Sequence, residues 1–136
     1  SCTGGMVSSA FTDIPGISKI FIEGAVTYSN GAKMRRLGVS DKTLEKYGAV
    51  SEQTAVEMAK GIAESSGADI GISTTGIAGP GGGSSEKPVG LVYVGICVKG
   101  KAWAKEFHFT GNREKIRTRA VDAVFDMLRR EIAKLD

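Results

Sequence analysis

The chain has 136 residues, 41% of them hydrophobic and 24% charged, enough to bury one core of ordinary size. Its 18 basic and 15 acidic residues are interspersed and leave a formal charge of +3, which argues against a nucleic-acid face. No apolar run approaches the roughly 18 residues of a membrane span. The two cysteines, Cys2 and Cys97, are too few for a disulfide scaffold and lack the paired spacing of a zinc site, so reduced thiols in a cytoplasmic protein are expected.

In chain order, Ser1-Cys2-Thr3-Gly4-Gly5 leads into a short helical stretch over residues 6–11 that ends before Pro15-Gly16. A glycine turn of this kind normally follows a buried strand, so a strand, with a helix before it, is expected upstream of Ser1. Residues 20–22 and 24–27 read as strand. Asn30 is expected to cap a helix over 31–37 closed by Gly38, and Ser40 to cap a second over 41–47 closed by Gly48. Ser51 caps a third, whose Ala55, Met58, Ala59, Ile62 and Ala63 recur at helical spacing.

A short strand over 69–74 runs into a glycine loop, Thr75-Gly76-Ile77-Ala78-Gly79-Pro80-Gly81-Gly82-Gly83-Ser84. Residues 89–98 are nearly all apolar, as in a strand covered on both faces. Lys99-Gly100-Lys101 turns into a strand over 102–109. There Trp103, Phe107 and Phe109 share one side with Lys105, while Glu106 and His108 share the other. Asn112 caps a last helix from Arg113 to about residue 135, with a stripe of Ile116, Ala120, Ala123, Val124, Met127, Leu128, Ile132 and Leu135. The expected fold is α/β: a single three-layer α/β/α domain over 1–136 with a mixed central sheet.

Two cations stand where a helix disfavours them. Lys33 and Arg113 each fall in a first helical turn, whose positive pole costs a cation roughly 0.3–1 kcal/mol. Each either reaches water or faces an anion, and Lys33 is alternatively wanted there uncharged. The glycine loop is not a P-loop, because Lys87 is followed by Pro88. Nor is it a dinucleotide fingerprint, because Ser84 stands where the third glycine belongs. His108 lies mid-strand and is a poor triad histidine, and no His, Cys and carboxylate cluster suggests a metal. Cys2 at a helix start could be a low-pKa nucleophile, though a small core residue fits it better, and Cys97 is core.

Four motifs in order resemble the CinA C-terminal domain family: Ser1-Cys2-Thr3-Gly4-Gly5, Thr27-Tyr28-Ser29-Asn30 with Ala32-Lys33, Gly48-Ala49-Val50-Ser51-Glu52, and Thr75-Gly76-Ile77-Ala78-Gly79-Pro80 through Lys87-Pro88-Val89-Gly90. The resemblance implies hydrolysis of the carboxamide of nicotinamide mononucleotide to nicotinate mononucleotide and ammonia, in pyridine nucleotide salvage. It places the nucleophile on Ser1, the base on Lys33, and further catalytic roles on Tyr28 and Arg113. Amides around Thr3, Gly4 and Gly5 are then expected to hold the oxyanion, and Asn30, Thr75, Gly76 and Gly79 to contact substrate. The Lys33 amine must be neutral to act, with the helix start and Arg113 expected to lower its pKa. No metal or redox cofactor is implied. The partner is a small nucleotide rather than nucleic acid or membrane, and homo-oligomers are compatible with this. Asn112 stands where relatives often carry Asp, an equivalent cap. Competing readings are an N-terminal nucleophile with the Ser1 amino group as base, a non-catalytic nucleotide-binding or interaction domain, and an amidase for another small carboxamide.

Overall fold

In the computed structural model, which describes residues 1–135, the chain forms α1 (Met6–Thr12), a 3-10 turn (Ile17–Lys19), α2 (Asn30–Leu37), α3 (Asp41–Tyr47), α4 (Glu52–Ser66), β1 (Ile70–Gly76), β2 (Leu91–Val98), β3 (Lys101–His108) and α5 (Arg113–Ala133). Side-chain caps fix where the helices start. Ser40 Oγ accepts the Thr43 amide at 3.0 Å, Ser51 Oγ the Thr54 amide at 3.1 Å, and Asn112 Oδ1 the Lys115 amide at 2.9 Å. At α2 the cap is Ser29 rather than Asn30. Ser29 keeps an extended backbone and accepts the Ala32 amide at 3.1 Å, so Asn30 is already helical and Lys33 lies one position further in than expected.

The three strands pair in the order β1-β2-β3 and are antiparallel throughout. Parallel neighbours need a crossover element, and none separates these strands. β1 and β2 are joined by the glycine loop, whose base is closed by Ile77 N–H to Leu91 O (2.9 Å) and Gly90 N–H to Ile77 O (2.8 Å). β2 and β3 are joined by a turn at Lys99 and Gly100, both at positive φ (49° and 85°), the hand that suits a tight hairpin. The layered α/β arrangement stands, with an antiparallel sheet in place of a mixed one among the described strands.

Strand alternation assigns the two faces. Val92, Val94 and Ile96 of β2 point toward Ile116, Ala120, Val124, Met127 and Leu128 of α5, with Trp103 and Phe107 of β3 packed at the edge. The opposite face carries Gly71, Gly95 and Cys97 and receives α4 through Ala55, Ala59 and Ala63. Small residues on both sides bring helix and strand backbones together, and Ser73 Oγ donates to the Ala55 carbonyl at 2.6 Å. A third cluster, Leu37, Val39, Leu44 and Met58, ties α2 and α3 to α4.

Two expectations change. Residues 21–28 are extended and alternate in burial with period two, but make no ladder. The segment touches α1, where a Cβ on Gly24 would meet the Ser8 side chain, and no strand pairs with it among the described residues. At the far end of α5 the apolar stripe outruns the sheet, leaving Ile132 and Leu135 about half exposed (50% and 47%). Among the described residues, no helix is long and apolar enough to cross a membrane.

Candidate active site

Lys33 is the most unusual residue of the core. Only 2% of it is exposed, and it is one of the largest fully buried side chains. Helical side chains lean toward the N-terminus, which carries its Nζ back over the first turn of α2. There it donates to Thr27 O at 2.9 Å and Tyr28 O at 3.1 Å. Burial pushes the Lys33 ammonium below the ordinary lysine range, with Cys2 opposing the shift. The expected contribution from Arg113 is not among the causes, so desolvation does this work.

Ser1 opens a tight turn closed by Gly4 N–H to Ser1 O at 3.0 Å. The turn is pinned to β1: the Ser1 nitrogen donates to Thr74 O, and the Thr3 and Thr74 hydroxyls are 3.0 Å apart. From the other side Arg117 of α5 donates through Nε to Cys2 O (3.1 Å) and through Nη2 to Thr3 O (3.0 Å). The Gly4 amide is consumed in closing the turn. The Thr3 and Gly5 amides have no protein acceptor among the described residues. Cys2 is buried in the α5-side core, and burial pushes its thiol up, so it suits packing rather than nucleophilic attack.

A pocket of about 270 Å³ brings Ser1, Tyr28, Lys33, Thr75, Gly79 and Arg113 together, with Gly76 also in its wall. Arg113 reaches across it, Nη1 to Gly79 O at 2.8 Å and Nη2 to Tyr28 Oη at 3.4 Å. Thr75 is buried and its hydroxyl is spent on Ala49 O at 2.6 Å. Thr3, Gly4 and Gly5 do not line this pocket. They border a larger, mostly apolar cavity of about 540 Å³ among Val7, Phe11, Ile17 and Ile72, which contains neither Lys33, Tyr28 nor Arg113. Asn30 lines neither space. His108 is well exposed on β3 beside Glu106, and no metal-holding group of three His, Cys, Asp or Glu occurs among the described residues.

Four contributors escaped the sequence reading. Thr27 acts through its backbone carbonyl, for which side-chain identity carries no signal, and Thr74 through both its carbonyl and its hydroxyl. Lys87 closes the glycine loop by donating to Tyr47 O, and Arg117 holds the Ser1 turn. The spacing of Arg113 and Arg117, one helical turn apart on a shared face, was the signal for the latter.

The site thus defines a layered α/β protein with a serine and a buried amine in one small polar pocket. The CinA C-terminal domain model matches residues 1–132, and the chain belongs to that family. It is 63% identical to a Clostridium perfringens sequence that carries the name competence-damage inducible protein, over 136 residues, all of this chain and 33% of that protein. A Clostridium acetobutylicum protein of the same name is 61% identical over 135 residues, 99% of this chain and 33% of the relative. The chain therefore spans about a third of the length of these relatives. Competence damage-inducible protein A (ComA) of Klebsiella pneumoniae superposes with a TM-score of 0.95 at 34% identity, covering 100% of this chain and 84% of that one. The competence/damage inducible protein CihA of Agrobacterium tumefaciens gives 0.91 at 45% identity, covering 94% and 79%.

Proposed function

We propose that this domain is an amidohydrolase that converts the carboxamide of nicotinamide mononucleotide to the carboxylate, releasing ammonia, with Ser1 as nucleophile and Lys33 as base. One observation carries the reading: a buried lysine shares a pocket with a serine and has its Nζ on two backbone carbonyls. A neutral amine has two N–H groups and one lone pair. With both N–H groups given to Thr27 O and Tyr28 O, the lone pair is left to accept the Ser1 hydroxyl proton. Burial lowers the amine's pKa, toward the neutral form that this requires.

The reaction then balances in two halves. Ser1 Oγ adds to the amide carbon as its proton passes to Lys33. Collapse of the tetrahedral adduct returns that proton to the leaving nitrogen, and ammonia departs from an acyl-serine. Water, deprotonated by Lys33, adds to the ester; the adduct collapses with cleavage of the bond to Ser1 Oγ, which takes the proton back from Lys33, and the product acid leaves as carboxylate with its proton passing to solvent. The amides of Thr3 and Gly5 border the neighbouring cavity and not this pocket, so the backbone that lines it, Ser1-Cys2 and the glycine loop, is where oxyanion donors are to be sought. Tyr28 and Arg113 at the mouth suit the substrate's ribose and phosphate, a small nucleotide being the partner. Reduced thiols at Cys2 and Cys97 fit a cytoplasmic enzyme of nucleotide salvage.

Ammonia release from nicotinamide mononucleotide by wild type and Ser1→Ala, within the full polypeptide, tests this directly. Turnover lost in the variant is the expected result. Turnover that survives moves the nucleophile elsewhere, and no turnover by folded wild type removes the substrate assignment.

A further inference from the structure

Arg117 makes the only side-chain contacts, among the described residues, to the outward-facing carbonyls of the Ser1 turn. It donates to two consecutive peptides, Cys2–Thr3 and Thr3–Gly4, from 115 and 114 residues away in sequence. A planar trans peptide points its C=O and N–H in opposite directions. Fixing Cys2 O on the guanidinium therefore aims the Thr3 amide away from α5, while Thr3 O, shared between Arg117 and the Met6 N–H (3.1 Å), aims the Gly4 amide back onto Ser1 O. The guanidinium fork can hold both orientations at once, which a point-charge ammonium does less well. Gly4 supports the arrangement: its φ is +57°, and a Cβ there would lie 3.0 Å from Arg117 Nη2. Four residues earlier on the helix, Arg113 holds Gly79 O on another wall of the pocket. The first turns of α5 thus grip both the nucleophile turn and the glycine loop.

We propose that Arg117 is a positioning residue that sets the orientation of the Ser1 turn, and with it the aim of the Ser1 hydroxyl, without touching substrate. It is absent from the pocket lining, and its Nε and one Nη2 N–H donate to main-chain carbonyls, which a role as a substrate contact does not account for. The inference rests on the hydrolase reading above, in which Ser1 is the nucleophile. Misplacing a reacting group by about 1 Å costs on the order of 100-fold in rate.

The test compares Arg117→Ala and Arg117→Lys with wild type in the full polypeptide, using two readouts. The first is steady-state turnover of nicotinamide mononucleotide. The second is the rate at which a small fluorophosphonate labels Ser1, which needs no knowledge of the substrate. Expected are a fall in kcat of about 100-fold for Arg117→Ala with KM within about threefold, a parallel slowing of Ser1 labelling, and partial recovery of both on adding methylguanidinium. Arg117→Lys should lie between, and carries the test if the alanine variant does not fold. Unchanged kcat and labelling in a folded variant would overturn the proposal, as would a rise in KM at constant kcat. If wild type labels at Ser1 but does not turn over this substrate, the substrate assignment fails and the labelling comparison still decides the role of Arg117.

Discussion

A buried amine pays for its place in free energy, and Lys33 makes that cost measurable. Its ammonium is desolvated in the folded protein and fully solvated in the unfolded chain, so its folded pKa lies below its ordinary value of 10.5. Between those two values the unfolded chain binds more protons than the folded one, and stability rises with pH across that window. Below the folded pKa both states are protonated and the slope vanishes. Urea midpoints measured across the alkaline range should show the rise in wild type and a flatter profile in Lys33→Met, which keeps the aliphatic volume and removes the titration. Equal slopes would mean that Lys33 is not the group responsible. In the proposed mechanism the same depressed pKa governs the activity profile: kcat/KM should climb with pH along a limb placed below 10.5, because there only the neutral amine would take the Ser1 proton. Lys33→Met should lower kcat by about 10²–10⁴-fold while leaving nucleotide binding in place. An equal loss of binding would make Lys33 a substrate contact instead.

At the scale of elements, legibility followed the locality of the cause. Ser40, Ser51 and Asn112 each cap the helix their side chains suggest, because a cap is a contact between residues three apart. The Lys99-Gly100 turn and the alternation of β3 are equally local. Residues 20–22 and 24–27 read as strand, yet a strand is completed by a neighbour, and sequence does not say which neighbour is there. The close seating of α4 on the sheet was hidden in another way, since Gly71 and Gly95 look like weak strand residues until the helix backbone above them is seen. A Cβ on Gly95 would run into Ala55 O and the Ser73 hydroxyl, with no positive φ to complicate the reading. Gly95→Ala should cost about 1–3 kcal/mol of stability by urea unfolding. A loss under about 0.5 kcal/mol would show that α4 can lift off without penalty. The glycine loop is strapped at one end by Lys87 to Tyr47 O and stiffened internally by Lys87 N–H to Ser84 Oγ at 3.0 Å. Lys87→Ala should speed amide exchange over residues 79–87 and raise KM about threefold or more, with exchange elsewhere unchanged. Unaltered exchange in the loop would remove the strap from the account.

The pocket belongs to the whole molecule, because its wall is gathered from five distant stretches: Ser1 with Cys2, Tyr28 with Lys33, Ala49 with Val50, the loop from Thr75 to Gly82, and Arg113. The motifs in those stretches were legible one by one. Their convergence was not, since it depends on α5 crossing the sheet to bring Arg113 to Gly79 O and Arg117 to Cys2 O. A pocket built this way cannot persist in the unfolded chain, so any ligand that fits it binds the folded state alone and stabilises it by mass action. At a free concentration about 100 times its Kd, nicotinamide mononucleotide should add about 2.7 kcal/mol to the unfolding free energy of Ser1→Ala, in which turnover does not consume the ligand. Arg113→Ala in the same background should reduce that gain, because it removes both the cation and the bridge to Gly79 O and Tyr28 Oη. Nicotinamide riboside, which lacks the phosphate, should show a smaller gain than the nucleotide at equal concentration, and Arg113→Ala should narrow the gap between them. If riboside and nucleotide stabilise equally, the cation at the mouth does not read phosphate. If neither stabilises at millimolar concentration, the pocket takes some other carboxamide, and the serine and lysine within it need a different substrate.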